Sequence, residues 1–251
     1  MGAKASTIWY VDAPEPVTVL RDHREPDQSA GQALAGRLYP DLSAVADRVA
    51  PIALSAGVGS DEVYIGCYPG ITVVCGAERS LPRPSTLSDT WVRPLASEFT
   101  FMVSIDPNNS WGAFAMWERG SLRRSFSATT VHILEDVGLP LVWERPYWAG
   151  DHPIQHPPGI VPDPQSLPFD PQDFADEANE QWLGFRYRGE PSPGDLDPQG
   201  IVVCGFSLYQ PGKEPGLEPS PQIQPTNSVE PAIGPIRKWF RRRAGDGTRA
   251  R

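Results

Sequence analysis

The chain reads as an α+β domain: a mixed, mostly antiparallel sheet with two or more helices packed on one face, followed by a disordered C-terminal tail. Three stretches predict it. Residues 98–127, EFTFMVSIDPNNSWGAFAMWERGSLRRSFS, contain three apolar runs separated by Asp-Pro-Asn-Asn-Ser and Glu-Arg-Gly, the pattern of a β-meander. Residues 62–76, EVYIGCYPGITVVCG, form a hairpin about Pro69-Gly70. Residues 171–183, PQDFADEANEQWL, place Phe174, Ala178 and Trp182 four apart, and Gly184 closes that helix.

Taken in order, STIWYVD (6–12) is a buried first strand ended by Pro14 and Pro16. SAGQALAGRLY (29–39) has helical spacing, with Ser29 as N-cap and Pro40 as stop. Leu42–Val49 continues as a second helix behind Asp41. In the hairpin, Tyr68 should oppose Ile71, Cys67 Thr72, and Cys75 Tyr64, so Cys67 and Cys75 are not cross-strand partners. Residues 85–96 suit a short helix interrupted at Pro94. Within the meander, Phe99, Phe101, Val103 and Ile105 share one strand face. The run from Trp111 to Trp117 is apolar on both faces, as a central strand requires. Leu122–Ser127, with Arg123 and Arg124, is placed nearer the sheet edge. Residues 146–171 are a proline-dense connection without a regular period. Strands at Phe185–Tyr187 and Ile201–Tyr209 complete the sheet, giving one domain over residues 1–209 and a tail over 210–251.

The formal net charge of −9 divides unevenly. From Pro211 onward eight Lys/Arg stand against four acids, so that end carries +4 and residues 1–210 carry −13. An acidic body is a poor partner for a phosphate backbone, whose affinity comes from released counterions. The basic end, IRKWFRRR (236–243), sets five basic residues around Trp239 and Phe240 and could touch an anionic lipid or nucleic-acid surface. The competing reading is a solvated end that aids solubility. The tail's Pro, Glu, Gln and Ser content is a disorder signature.

Three cysteines, no CxxC and no secretory signal point to a reducing, cytoplasmic setting, with Cys67, Cys75 and Cys204 as buried apolar side chains. No apolar run is long enough for a transmembrane helix. Met1-Gly2-Ala3-Lys4-Ala5-Ser6 satisfies the loose N-myristoylation pattern, but a strand from Ser6 would sequester it.

The stretch with most chemical potential is WERPYWAGDHPIQH (143–156). Arg145, Tyr147, Trp148, Asp151 and His152 lie close together on it as candidate ligand contacts, rings supplying area and charges direction. The competing reading is packing: Arg145 pairs with Glu144 or Asp151 while Tyr147 and Trp148 plug the core edge. His152 and His156 have zinc-ligand spacing, but Pro153, Pro157 and Pro158 forbid the helix that gives this spacing its geometry, so no metal is expected. Gly57-Val58-Gly59-Ser60 resembles a phosphate loop in composition only, and no cofactor is expected. Glu118 and Glu135 read as strand-end acids, and His132 as a half-buried, hydrogen-bonded histidine.

The MGAK start, FAMWERGSLRRSFS, ILEDVGLPLVWERPYWAGDHP, LPFDPQDFADEA and the closing strands resemble an uncharacterised family of actinobacterial proteins. The resemblance spans about residues 1–209, with Pro146–Pro153 its most specific segment. It implies a cytoplasmic bacterial protein and brings no catalytic residues. Function is therefore expected to be a non-catalytic binding or interaction module using residues 145–156, with an unidentified small molecule or protein as partner. The alternative is a small-molecule enzyme, with a hydrolase as the example, in which His152 is the base oriented by Asp151, Arg145 or Glu118. A third reading has the basic tail contacting membrane or nucleic acid.

Overall fold

A computed structural model describes residues 4–57, 61–76, 81–154, 159, 163–189 and 194–214. Gly59, Ser60, His156 and the segment from Pro215 on, which includes the basic end, lie outside the described residues.

Nine strands form one sheet: β1 (Ala5–Val11), β2 (Ser43–Pro51), β3 (Glu62–Tyr68), β4 (Ile71–Cys75), β5 (Phe99–Asp106), β6 (Trp111–Glu118), β7 (Ser121–Thr129), β8 (Ile133–Gly138) and β9 (Val202–Tyr209). Their order across the sheet is β2-β9-β3-β4-β1-β5-β6-β7-β8, and every neighbouring pair is antiparallel. β1 lies at the centre and is buried along its whole length. Its side chains alternate: Ile8 and Tyr10 enter one core, Trp9 and Val11 another.

That alternation requires cover on both sides, so the expectation of helices on one face is corrected. The first face packs against α2 (Gln28–Leu38) and α4 (Asp89–Val92) through Leu34, Ala35, Leu38, Trp91 and Val92. The second face packs against α1 (Pro16–Asp22), α3 (Ile52–Ser55), α5 (Arg145–Ala149) and α6 (Pro171–Leu183). An apolar stripe alone would leave a helix marginal in water, so burial against the sheet supplies most of its stability.

The hairpin forms in the expected register, with Tyr68 opposite Ile71, Cys67 opposite Thr72 and Tyr64 opposite Cys75. All three cysteines are free and buried, and burial pushes the Cys67 thiol up to about 11. The β6–β7 connection is a two-residue turn in which Arg119 and Gly120 both have positive φ, the geometry whose twist matches the flanking strands.

Other expectations need correction. The helix expected over Leu42–Val49 is instead strand from Ser43 on, because pairing along β9 overrides the helix preference of Ala44 and Ala46. Asp27, not Ser29, caps α2, accepting the Ala30 N–H at 3.0 Å. Phe185–Tyr187 is not a strand. Its backbone is taken up by buried side chains of α6: Asn179 donates to the Phe185 carbonyl at 2.7 Å, and Asp176 accepts the Tyr187 and Arg188 N–H groups at 2.7 and 3.1 Å. β7 does lie nearer the edge than β5 and β6, with one further strand, β8, pairing beyond it. His132 is exposed, just before β8.

The β6 glycine Gly112 sits directly beneath the start of α6, where a Cβ would lie 2.0 Å from the Pro171 carbonyl oxygen. Gly112→Ala is expected to cost about 2–4 kcal/mol, by displacing α6 from the sheet. Gly36, on the exposed side of α2, has nothing within 4 Å of such a Cβ, and Gly36→Ala should stabilise by about 0.5–1 kcal/mol. Urea midpoints of the two variants check both signs.

Candidate functional site

The site begins at Arg124 on β7. Its side chain crosses the second face between the rings of Phe114 and Phe126, 5.9 and 5.8 Å from their centroids, and is fully buried. An arginine there needs an equally buried acceptor, because its charge cannot be neutralised by losing a proton. Glu144, also fully buried, is that acceptor, taking the Arg124 Nε and Nη2 donors at 2.9 and 2.8 Å. It also accepts the Leu141 N–H at 3.0 Å and the Trp148 Nε1–H at 3.3 Å. Arg124 Nη1 turns outward to Asp136 on β8 at 2.5 Å. The two ion pairs of Arg124 thus tie β7, β8 and the chain from Leu141 to Trp148 together.

Pro146 opens α5 and Gly150 closes it with φ +84°. Pro146, expected to begin a connection without regular structure, serves here in the first turn of a helix, where its missing N–H costs nothing. α5 drives Tyr147 and Trp148 into an aromatic cluster with Phe126, Phe169 and Phe174. Tyr147 is buried, its hydroxyl donates to Glu177 at 3.2 Å, and burial pushes its pKa up to about 12.

The five expected site residues therefore divide. Tyr147 is buried and Trp148 half-buried, whereas Arg145, Asp151 and His152 are exposed. The His152 ring stacks on Tyr147, with centroids 4.1 Å apart and planes at 11°. Among the described residues, Arg145, Asp151 and His152 form no ion pair and no side-chain hydrogen bond with one another. Glu144 pairs with Arg124, not Arg145, which corrects that detail of the packing alternative. Glu118 is engaged by Arg123 at 2.9 Å. Glu135 is buried on β8, accepting from the Ser85 N–H and hydroxyl at 2.9 and 2.6 Å and from the Ser125 hydroxyl.

Sequence reading missed the surface that precedes α5. β8 is an edge strand, and residues 133–142 contain Ile133, Leu134, Val137, Leu139 and Val142, five of the nine large apolar side chains exposed among the described residues. Leu139 and Val142 are 85% and 77% exposed. Scattered single exposed hydrophobes are ordinary, but a cluster on an unpaired edge is not. The signal was present in VHILEDVGLPLV, but Glu135 and Asp136 disguise its strand period. Among the described residues no cluster of three His, Cys, Asp or Glu side chains is arranged to hold a metal ion, and no helix is long and apolar enough to cross a membrane.

The fold and site define an antiparallel α+β sheet domain whose aromatic segment is clamped from within while its edge strand presents apolar side chains. Residues 5–206 match the profile of a family described as "Family of unknown function (DUF6928)", and the chain belongs to that family. Neither a search of curated proteins nor a search of solved structures returns a match.

Two measurements test the electrostatics. Arg124→Leu leaves Glu144 buried without its cation and should cost about 3–5 kcal/mol in urea unfolding. Adding Glu144→Leu should recover only part of that, because the Leu141 N–H and the Trp148 indole lose their acceptor. Asp176, buried on α6, has its carboxyl pushed up to about 7 by desolvation. Between pH 4 and 7 the folded state then holds a proton that the unfolded state has released, so this group's contribution is present at pH 4 and lost as pH rises, by on the order of 4 kcal/mol. Relative to the parent, Asp176→Asn should gain stability steadily from pH 4 to pH 8. Unfolding midpoints taken across that range read the trend.

Proposed function

We propose that the chain is a non-catalytic protein-interaction module, with β8 and residues 139–152 as its contact surface. The observation that carries this reading is the cluster of exposed apolar side chains from Ile133 to Val142 on a strand edge that has no further neighbour among the described residues. An open edge offers backbone donors and acceptors to an incoming strand, and flanking side chains select which strand is taken. In this reading Tyr147 and Trp148 serve from inside, fixing α5, while Arg145, Asp151 and His152 form the polar rim. A preorganised rim saves the ordering entropy that a mobile loop would lose on binding.

The partner this surface fits is an extended segment of another protein, with apolar residues alternating with basic ones. The apolar positions match Val137, Leu139 and Val142, and the basic ones complement a body carrying −13 over residues 1–210.

The test is selection of extended peptides from a random display library, followed by anisotropy titrations. Selected peptides should alternate apolar and basic residues. They should bind at least tenfold more weakly to Val137→Lys, which puts a cation into the apolar cluster and repels a basic strand, and to the double variant Leu139→Asp/Val142→Asp. Leu54→Asp, which alters an exposed apolar residue elsewhere, should bind normally. Loss in the double variant, whose two positions are largely exposed, separates lost docking from lost folding. Failure to select any peptide, or peptides indifferent to all three variants, overturns the proposal. A concentration-dependent dimer abolished by the same substitutions would make the occupant a second copy of the chain and overturn the choice of partner.

A further inference from the structure

A second recess lies on the second face at the opposite end of the meander, where β1 leaves the sheet and β5 enters it. It is a groove of about 530 Å³ between the start of α1 and the C-terminal turn of α6. Three of its rings are stacked nearly parallel. Phe99 and Phe101, two apart on β5, have centroids 5.9 Å apart and planes at 6°, and Phe101 and Trp182 of α6 are 4.5 Å apart at 14°. Phe101 is buried in the middle of this column, while Phe99 and Trp182 are half-buried.

The column is held from behind. Trp182 packs edge-on against Phe114 and Trp143 in the aromatic core, and Phe99 and Phe101 are fixed by the ladder to β1 and β6. Its outer ring needs no rearrangement to receive another flat group. The groove is also acidic. Asp12 follows β1 at its rim, and its Oδ1 accepts the Glu98 N–H at 2.7 Å, so the carboxylate is oriented by backbone. Glu98 lies beside it and holds Arg119 at 2.8 Å. Among the described residues Asp12 is in no ion pair, and its second oxygen is available to a ligand.

Parallel rings flanked by an oriented, unpaired carboxylate favour one chemistry: a planar cation that stacks on an aromatic face and offers paired N–H donors in its own plane. We infer that this groove binds the guanidinium of an arginine side chain presented by a partner chain, stacked on Phe99 and bonded to Asp12. Arg119 on Glu98 is an intramolecular instance of the same pairing at the rim. The groove, lined by β5, is separated from β8 by β6 and β7, so it is a second contact point, and the inference does not rest on the β8 reading.

Nuclear magnetic resonance titration of the full chain can test it, reading the Trp182 indole N–H and the Asp12 and Glu98 amides. The probes are N-acetyl-arginine amide, its lysine counterpart and its citrulline counterpart, the last being planar but uncharged. The arginine probe should give saturable shifts at all three positions and bind about tenfold more tightly than either of the others. Asp12→Asn, which keeps an oxygen for the Glu98 N–H, and Phe99→Leu should each weaken it by about tenfold while leaving distant amides unmoved. Equal binding of lysine would reduce the site to bare charge, and equal binding of citrulline to an apolar slot. Either result, an unchanged Asp12→Asn, or the absence of saturation overturns the inference. Tight binding of free arginine, with its α-amino and α-carboxyl groups, and none of the amide would assign the groove to a small metabolite and overturn the choice of a protein partner.

Discussion

The ion pair between Arg124 and Glu144 is the constraint on which the meander side of the second face depends. A guanidinium buried between two phenylalanine rings is tolerable only with a full complement of acceptors, and Glu144 and Asp136 are supplied by two other parts of the chain. Glu144 can reach Arg124 only if residues 139–144 turn back over the sheet. That turn starts α5 and brings Tyr147 and Trp148 onto Phe126 and Phe174. The aromatic packing over β6 and β7 is thus linked to one electrostatic requirement, and shape-filling alone does not describe it. Such a pair adds less to stability than its geometry suggests, since desolvation offsets much of the attraction. What it restricts is the number of ways the loop can lie.

Elements specified by neighbouring residues were legible in sequence, and those specified by distant partners were not. The β3–β4 hairpin was readable to the residue because Pro69-Gly70 fixes the turn and the turn fixes the register. α6 was readable because its apolar spacing and Gly184 agree on its extent. β2 was not, since its three alanines favour helix and only its long-range pairing with β9 makes it strand. β8 was hidden by Glu135 and Asp136, two acids that look like solvent-facing residues but accept hydrogen bonds from Ser85, Ser125 and Arg124. At the candidate site, sequence found the right segment and could not tell which side chains face inward. That distinction rests on Arg124, twenty residues before Glu144 in the chain.

The aromatic residues, the loudest feature of the sequence, serve two purposes. Phe169 and Phe174 meet Phe114, Phe126 and each other edge-to-face or tilted, and Phe114 and Phe126 lie at 28° to one another, the mixed orientations of a closed core. Phe99, Phe101 and Trp182 instead lie flat upon one another and run out toward the rim. Composition cannot separate these uses, because the same residue types supply both. Ring orientation can, and it directs attention away from the densest aromatic block to its margin.

The position of β9 bears on how the molecule is made. β9 is the last strand among the described residues, yet it lies between β2 and β3, and β2 has no other described neighbour in the sheet. During synthesis β2 therefore emerges from the ribosome about 150 residues before its pairing strand, a separation long enough for the meander to form first. Until Tyr209 is exposed, β3 is a temporary border and β2 is an unpaired segment with Val45 and Val49 open to water. The nascent chain has to carry that exposed flank through most of its elongation, and a product stopped short of β9 would lose two strands of the sheet, not one.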